Sequence, residues 1–342
     1  MRLLIITQKV DKNDPILGFF HRWIEEFAKH CQSIIVICLQ KGEYDLSKNI
    51  KILSLGKEKG KSKIKYIFNF YKHIWHERKN YDAVFVHMNP VYIILGGLFW
   101  KISGKKIALW YTHKSVDWKL RLAEKITNII FTASKESFRL PSKKVEVIGH
   151  GIDMQKFKNQ KSKVKSDKFT IITAGRIAEV KNLHLLIETA DILKNKNFNF
   201  EIKIAGAPIL EADKIYFEKL KNLIKEKELE NLIKFAGSMS NNDIAKFYQS
   251  GDIFLNLSDT GSVDKAVLEA MATGLNILTS NEAFKNVLEE DNMVDKNPEN
   301  IASSIITLSS ISPSVKIREY VFKNHQLNKL IKNLILAIKN NE

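Results

Sequence analysis

The feature that most narrows what this chain can fold into is a twofold recurrence of short apolar runs separated by stretches with helical spacing. In the first half, Arg2–Thr7, Ser33–Leu39, Lys51–Leu55, Ala83–His87, Ile107–Tyr111, Ile129–Thr132 and Val145–Ile148 read as strands, mostly with helical stretches between them. A second alternation offers Phe169–Ala174, Glu201–Ala205, Ile233–Ala236, Ile253–Leu257, Asn276–Thr279 and a weaker Met293–Val294, and the closing Val315–Asn341 is mostly helical. Such alternation predicts an α/β class with parallel, doubly wound sheets. The polar, Lys/Ser-rich Gln160–Lys168 reads as the linker between the two runs. Ligands of such sheets bind beyond the carboxyl ends of the strands, so a site is expected in the cleft between two domains.

Length supports the division. The chain has 342 residues, more than one hydrophobic core usually serves, with 44% hydrophobic and 27% charged residues. The expected domains are residues 1–160 and 161–314. Cys31 and Cys38 are the two cysteines. Their spacing suits no metal site, and they read as buried thiols in a reducing compartment. The start Met1–Thr7 is too short an apolar stretch for a signal peptide and reads as the first strand. Val91–Trp100 falls well below the roughly 20 residues that cross a bilayer, and reads as a buried helix.

Charge is uneven. Residues 1–160 hold 29 Lys/Arg against 14 Asp/Glu, whereas residues 161–342 hold 25 against 24. The densest cluster, Lys57, Lys59, Lys61, Lys63 and Lys65, leads into Tyr66, Phe68, Phe70, Tyr71 and Trp75. A basic loop entering an aromatic helix suits an anionic lipid surface, the expected partner of Lys57–Lys65, while the aromatic face of the helix equally suits packing on the first sheet. Nucleic acid is the competing partner for a basic half, but no zinc-finger, RRM or KH signature accompanies the charge, and no nucleic acid is expected.

The segment Ser258–Gly274 joins a strand, a polar turn, a helix and one carboxylate. Ile253–Leu257 is apolar, Lys265–Thr273 is rich in helix formers, and Gly274 stops the helix. Unpaired N–H groups and the positive end of the helix dipole gather at the turn, and Gly261 lets an anion approach the backbone. A phosphate is the expected guest. Glu269 sits among Leu268, Ala270, Met271 and Ala272, where a carboxylate needs hydrogen-bond partners that a ribose diol would provide.

Strand, polar turn and Leu268-Glu269-Ala270-Met271-Ala272-Thr273-Gly274 together resemble the donor-nucleotide motif of retaining glycosyltransferases of family 4, the glycosyl transferases group 1. Gly175-Arg176-Ile177-Ala178-Glu179-Val180-Lys181-Asn182 resembles that family's Gly-Arg…Lys segment, and Val147–Asp153 with Phe157 resembles its interdomain stretch. The resemblance implies a GT-B fold, two Rossmann-like domains facing across a cleft, with a last helix returning to the first domain. It also implies that Arg176 and Lys181 hold the donor's diphosphate. One departure is visible: Gly261 stands where the family usually has a first Glu, eight residues before the second. Asp259, Asp264 or the backbone amides of Gly261, Ser262 and Val263 are the expected substitutes.

His113, just past Ile107–Tyr111, resembles the histidine that family members place beside the transferred sugar; His87 is the second choice and His150 reads as structural. Gly18 opens the helix Phe19–Lys29 in the region of the family's glycine-rich first loop, where it is expected to contact donor phosphate or acceptor or, as glycine before a helix often does, to serve as a plain cap. A leaving diphosphate gains charge as the glycosidic bond breaks, and Arg176 and Lys181 would stabilise it. The resemblance thus implies a retaining, metal-independent transferase of hexosyltransferase type that needs no cofactor. It would move sugar from a UDP- or GDP-linked donor to a glycan or lipid-linked acceptor in bacterial surface polysaccharide or glycoconjugate synthesis. Its expected place is cytoplasmic and peripheral to the inner face of the plasma membrane. The alternative is a nucleotide-sugar binding protein without catalysis, or a sugar-nucleotide epimerase of the same fold.

Overall fold

The computed structural model describes residues 1–60, 62–158, 167–241 and 243–340. Most of the expected linker, Lys61 and Asn341 lie outside the described residues.

The first run contains strands β1 (Arg2–Val10), β2 (Ser33–Lys41), β3 (Ile50–Ser54), β4 (Ala83–His87), β5 (Lys106–Trp110), β6 (Ile129–Thr132) and β7 (Val145–Val147). Its helices are α1 (Gly18–Ala28), α2 (Lys63–His76), α3 (Val91–Ile102) and α4 (Trp118–Ile126). The second run contains β8 (Phe169–Ala174), β9 (Phe200–Ala205), β10 (Ile233–Gly237), β11 (Ile253–Asn256) and β12 (Asn276–Thr279). With them go α5 (Leu183–Asn195), α6 (Glu211–Glu226), α7 (Ile244–Gln249), α8 (Lys265–Thr273), α9 (Pro298–Ser309) and α10 (Val315–His325), and α11 (Leu327–Asn340) closes the chain.

The chain divides into two units, Met1–Gly151 with His325–Glu342, and Ile152–Asn324. The division falls at Gly151 rather than residue 160 because Ile152, Met154 and Phe157 are buried with Ile172, Tyr248 and Phe254 of the second unit. The C-terminal stretch is two helices, not one. Ile317 and Val321 of α10 join the second core, while Leu327, Leu330, Ile331 and Leu334 of α11 join the first.

The first sheet is parallel, in the order β3-β2-β1-β4-β5-β6-β7. Side chains alternate across a strand, so Leu3 and Ile5 face one layer and Leu4 and Ile6 the other. On the first face Phe20, Trp23, Ile24 and Phe27 of α1 recur at helical spacing beside α11. Phe70, Ile74, Trp100, Leu120 and Ala123, from α2, α3 and α4, cover the other. Cys31 and Cys38 are buried free thiols, pushed up to about 11 and about 12 by that burial. Strand β1 runs three residues past the expected Thr7, because Lys9 and Val10 pair with Gln40 and Lys41 of β2. Helix α3 is not buried all round: Leu98 is 71% and Ile102 80% exposed, since only one side meets the sheet. Among the described residues no helix is long and apolar enough to cross a membrane.

The second sheet is parallel in the order β10-β9-β8-β11-β12. Ile171 packs with α5, α6 and α9, while Ile172 packs with α7, α8 and α10. The weak Met293–Val294 run forms a single parallel bridge, Met293 to Thr279.

Candidate active site

In the second sheet the strand order reverses between β8 and β11, so the segments leaving Ala174 and Asn256 emerge side by side beyond the carboxyl ends. Backbone and side chains then bind the two together. Asp259 N donates to the Val180 carbonyl at 2.9 Å, and Asn182 Nδ2 donates to the Leu257 carbonyl and Asp259 Oδ2, each at 2.8 Å. Lys296 also pairs with Asp259. Lys181 Nζ lies 3.0 Å from Asp264 Oδ2 and 3.3 Å from Ser258 Oγ. Gly175, Arg176, Lys181, Asn256 and Leu257 line a narrow recess there.

Helix α8 begins at Lys265 as expected. Asp264, its N-cap, makes no side-chain cap bond; its carboxylate turns instead to Lys181 and to Asn256 Nδ2 at 3.1 Å. The acceptor that would normally close the helix N-terminus is thus used elsewhere. Ahead of it Gly261 has φ 60°, a left-handed turn that favours glycine, and the Ser262 carbonyl accepts from Asn281 Nδ2 at 2.9 Å. Val263 is partly buried beside the second core.

Arg176 is exposed. Its Nε lies 3.7 Å from Asp213 Oδ2, an acid that the sequence reading did not single out. Donation from the Leu210 and Ile209 N–H groups, with Arg176 nearby, holds the Asp213 carboxyl below its usual range against the effect of burial. Its place in the first turn of α6 was the available signal.

Glu269 is 7% exposed and already partnered. Tyr248 Oη donates to Oε2 at 3.1 Å, and Lys265 pairs with Oε1. The need for partners, expected to be met by a diol, is therefore met in part by the protein. Burial and the adjacent carboxylate push the Tyr248 phenol well above its usual value, so it remains a donor. Lys156 stands in the same neighbourhood. Burial pushes it down to about 8, with the Glu269 carboxylate opposing that fall, and its Nζ donates to the Asn241 carbonyl.

Gly206, where the backbone at Gly175 comes close, was also missed. It has φ 139°, and a Cβ there would lie 1.8 Å from the Gly175 carbonyl oxygen. Gly206→Ala is expected to cost about 2 to 3 kcal/mol and to displace Arg176. An unchanged urea midpoint would contradict this.

The first unit holds the remaining candidates. Gly18 is the buried first residue of α1, its N–H donating to the Asp14 carbonyl at 2.9 Å. Asp14 closes the preceding turn by accepting from Ile16, Leu17 and Lys9. His113 is exposed beyond β5, where its Nδ1 accepts from Ser115 N at 3.1 Å. His87 is stacked on Phe20 at 4.0 Å and lies 3.3 Å from Thr7 Oγ1, fully inside the unit. The His150 N–H donates to His325 Nδ1 at 3.1 Å.

Burial pushes His87 down to about 3 and His325 down to about 4, so both are neutral when folded. Unfolded, each takes up a proton near pH 6.5. Between that value and the folded one the unfolded chain binds more protons, so stability present above pH 6.5 is lost as pH falls through the window. The expected loss is about 2 kcal/mol per histidine by pH 5. Urea midpoints at pH 7.5 and 5 measure it, and His87→Phe should flatten the slope.

Two doubly wound α/β units, the second with an anion-suited switch point, are the architecture of GT-B glycosyltransferases. The family model for glycosyl transferases group 1 matches residues 154–336, more than half of the chain, and the chain belongs to that family. WcaL of Escherichia coli (strain K12), named as a colanic acid biosynthesis glycosyltransferase, is 28% identical over 214 residues, 58% of this chain and 51% of that protein. The amylovoran biosynthesis glycosyltransferase AmsK of Erwinia amylovora is 31% identical over 159 residues, 45% and 38% of the two chains. The chain thus spans about half, or less, of these curated relatives. Among solved structures, Anabaena HepE in complex with UDP has a similar fold, with TM-score 0.78, 14% identity and 99% and 100% of the two chains covered.

Proposed function

We propose that this protein is a retaining, metal-independent hexosyltransferase. In this reading it transfers sugar from a UDP- or GDP-linked donor to a glycan or lipid-linked acceptor, in synthesis of a surface polysaccharide or glycoconjugate. The carrying observation is the stitched pair of segments at the β8/β11 switch point, which sets Lys181 beside the start of α8. The names of WcaL and AmsK and the UDP held by HepE support the substrate class.

Diphosphate would lie between Arg176 and the N-terminus of α8, where forked hydrogen bonds and backbone dipoles stabilise the charge that develops on departure. Lys181 contributes as a held rather than mobile cation, its charge shared with Asp264. A carboxylate has about four lone-pair directions, so Glu269 retains acceptor capacity for a ribose diol beside Tyr248 and Lys265. The backbone at Gly261–Val263 and His113 would face the sugar, and Gly18 the phosphate or acceptor. Same-face attack, with the leaving phosphate helping to deprotonate the acceptor, gives retention.

The test is transfer from a panel of UDP- and GDP-sugars to glycan and lipid-extract acceptors, with and without chelator, and NMR of the product's anomeric centre. A product of inverted configuration sinks retention. Activity lost to chelator and restored by a divalent ion sinks metal independence, and epimerised donor without transfer sinks the transferase.

A further inference from the structure

Helix α2 is apolar on two sides. Phe70 and Ile74 are buried against the first sheet, yet Ile64, Phe68, Tyr71 and Trp75 follow helical spacing on the outside and are 79%, 68%, 44% and 56% exposed. The exposed Leu98 and Ile102 of α3, with Trp118 and Leu122 of α4, belong to the same layer. Between Phe68, Tyr71, Trp75 and Phe99 lies a hollow of about 510 Å³. A helix turned only toward water would carry polar residues there.

The sequence that carries this face has a basic excess. Between residues 57 and 125 the sequence holds 15 Lys/Arg and five Asp/Glu. The five acids have partners of their own: Glu58 with Ser54, Glu77 with Lys51, Asp82 with Arg2, Asp117 capping α4 at Leu120, and Glu124 with Ser142. Lys57, Lys59, Lys63, Lys65 and Lys72 are exposed.

We propose that the outer face of α2, α3 and α4 seats the first unit on a bilayer containing anionic lipid. Its apolar side chains enter the interface and its lysines meet the headgroups. Nucleic acid fits less well, because Ile64, Leu98 and Ile102 offer neither a ring for stacking nor a hydrogen bond to a base. The inference goes beyond attraction by the Lys57–Lys65 loop alone. Apolar insertion survives salt that screens exposed charges, whereas headgroup attraction does not. It rests on this face and not on sugar transfer, so either reading can fail alone.

The experiment is flotation of the full chain with vesicles of phosphatidylcholine alone or mixed with phosphatidylglycerol, at low and high salt. Wild type should float with the mixed vesicles, weaken on added salt without detaching fully, and lose tryptophan emission to bromine placed in the acyl chains. Phe68→Ser with Trp75→Ser should lower partitioning about tenfold or more at both salts. Lys63→Gln with Lys65→Gln and Lys72→Gln should lower it mainly at low salt. All the substituted side chains are exposed, and an unchanged urea midpoint verifies folding. No flotation, equal flotation on neutral vesicles, or a serine variant that floats like wild type would overturn the proposal. So would a lipid-free dimer that the serine variant dissolves, since a second copy would then cover the face.

Discussion

Lys181→Ala is expected to lower turnover by about two to three orders of magnitude, the usual consequence of removing a preorganised charge from a developing anion. Here the loss has two parts. The cation goes, and Asp264, formerly held at 3.0 Å by Lys181, becomes an unopposed carboxylate at the start of α8 where diphosphate would sit. Asp264→Asn added to Lys181→Ala should therefore recover donor affinity by about tenfold, by removing the carboxylate that Lys181 no longer neutralises. Kinetics of the two single variants and the double variant measure the recovery. A double variant no better than Lys181→Ala would show that Lys181 acts without its partner.

The second large effect is on stability and binding together. Glu269→Ala removes the acceptor of the buried Tyr248 hydroxyl and the counter-charge of Lys265. Lys156, already pushed down to about 8, loses the nearby charge that held it up and should titrate lower still. The expected destabilisation is about 2 to 3 kcal/mol, alongside loss of donor binding. Glu269→Gln keeps an acceptor for Tyr248 but removes the charge that Lys265 pairs with, and should fall between the alanine variant and wild type. Urea unfolding and donor titration separate the effects. An alanine variant as stable as wild type would mean that Tyr248 and Lys265 find other partners.

Elements with sharp edges in the sequence were legible. Ala83–His87 and Asn276–Thr279 are apolar runs bounded by turn residues, and Lys265–Thr273 is a row of helix formers closed by Gly274; all three occur within the expected bounds. Strand β1 exceeded its apolar run because pairing to β2 extends through polar Gln8 and Lys9, a backbone matter that side-chain pattern does not record. The candidate site was legible only in part: Lys181, Asp264 and Glu269 were singled out, whereas Asp213, Gly206 and Tyr248 and the bonds among them were not. Tyr248 lies 21 residues before Glu269, and their meeting depends on how α7 packs beside α8. His87 ends a strand like many reactive histidines; only the fold shows Phe20 stacked over it. The outer row on α2 was likewise visible as aromatics, but periodicity alone cannot say which of two apolar sides finds the sheet.

The bonds joining residues 180–182 to 257–259 bear on any attempt to change the donor preference of the proposed transferase. Asn182 spans from one segment to the other, so importing a new 257–264 turn from a relative would leave the Asn182 amide without the Asp259 carboxylate it meets here. Donor preference in this chain should therefore be exchangeable only as a two-segment cassette, with position 182 travelling alongside the turn.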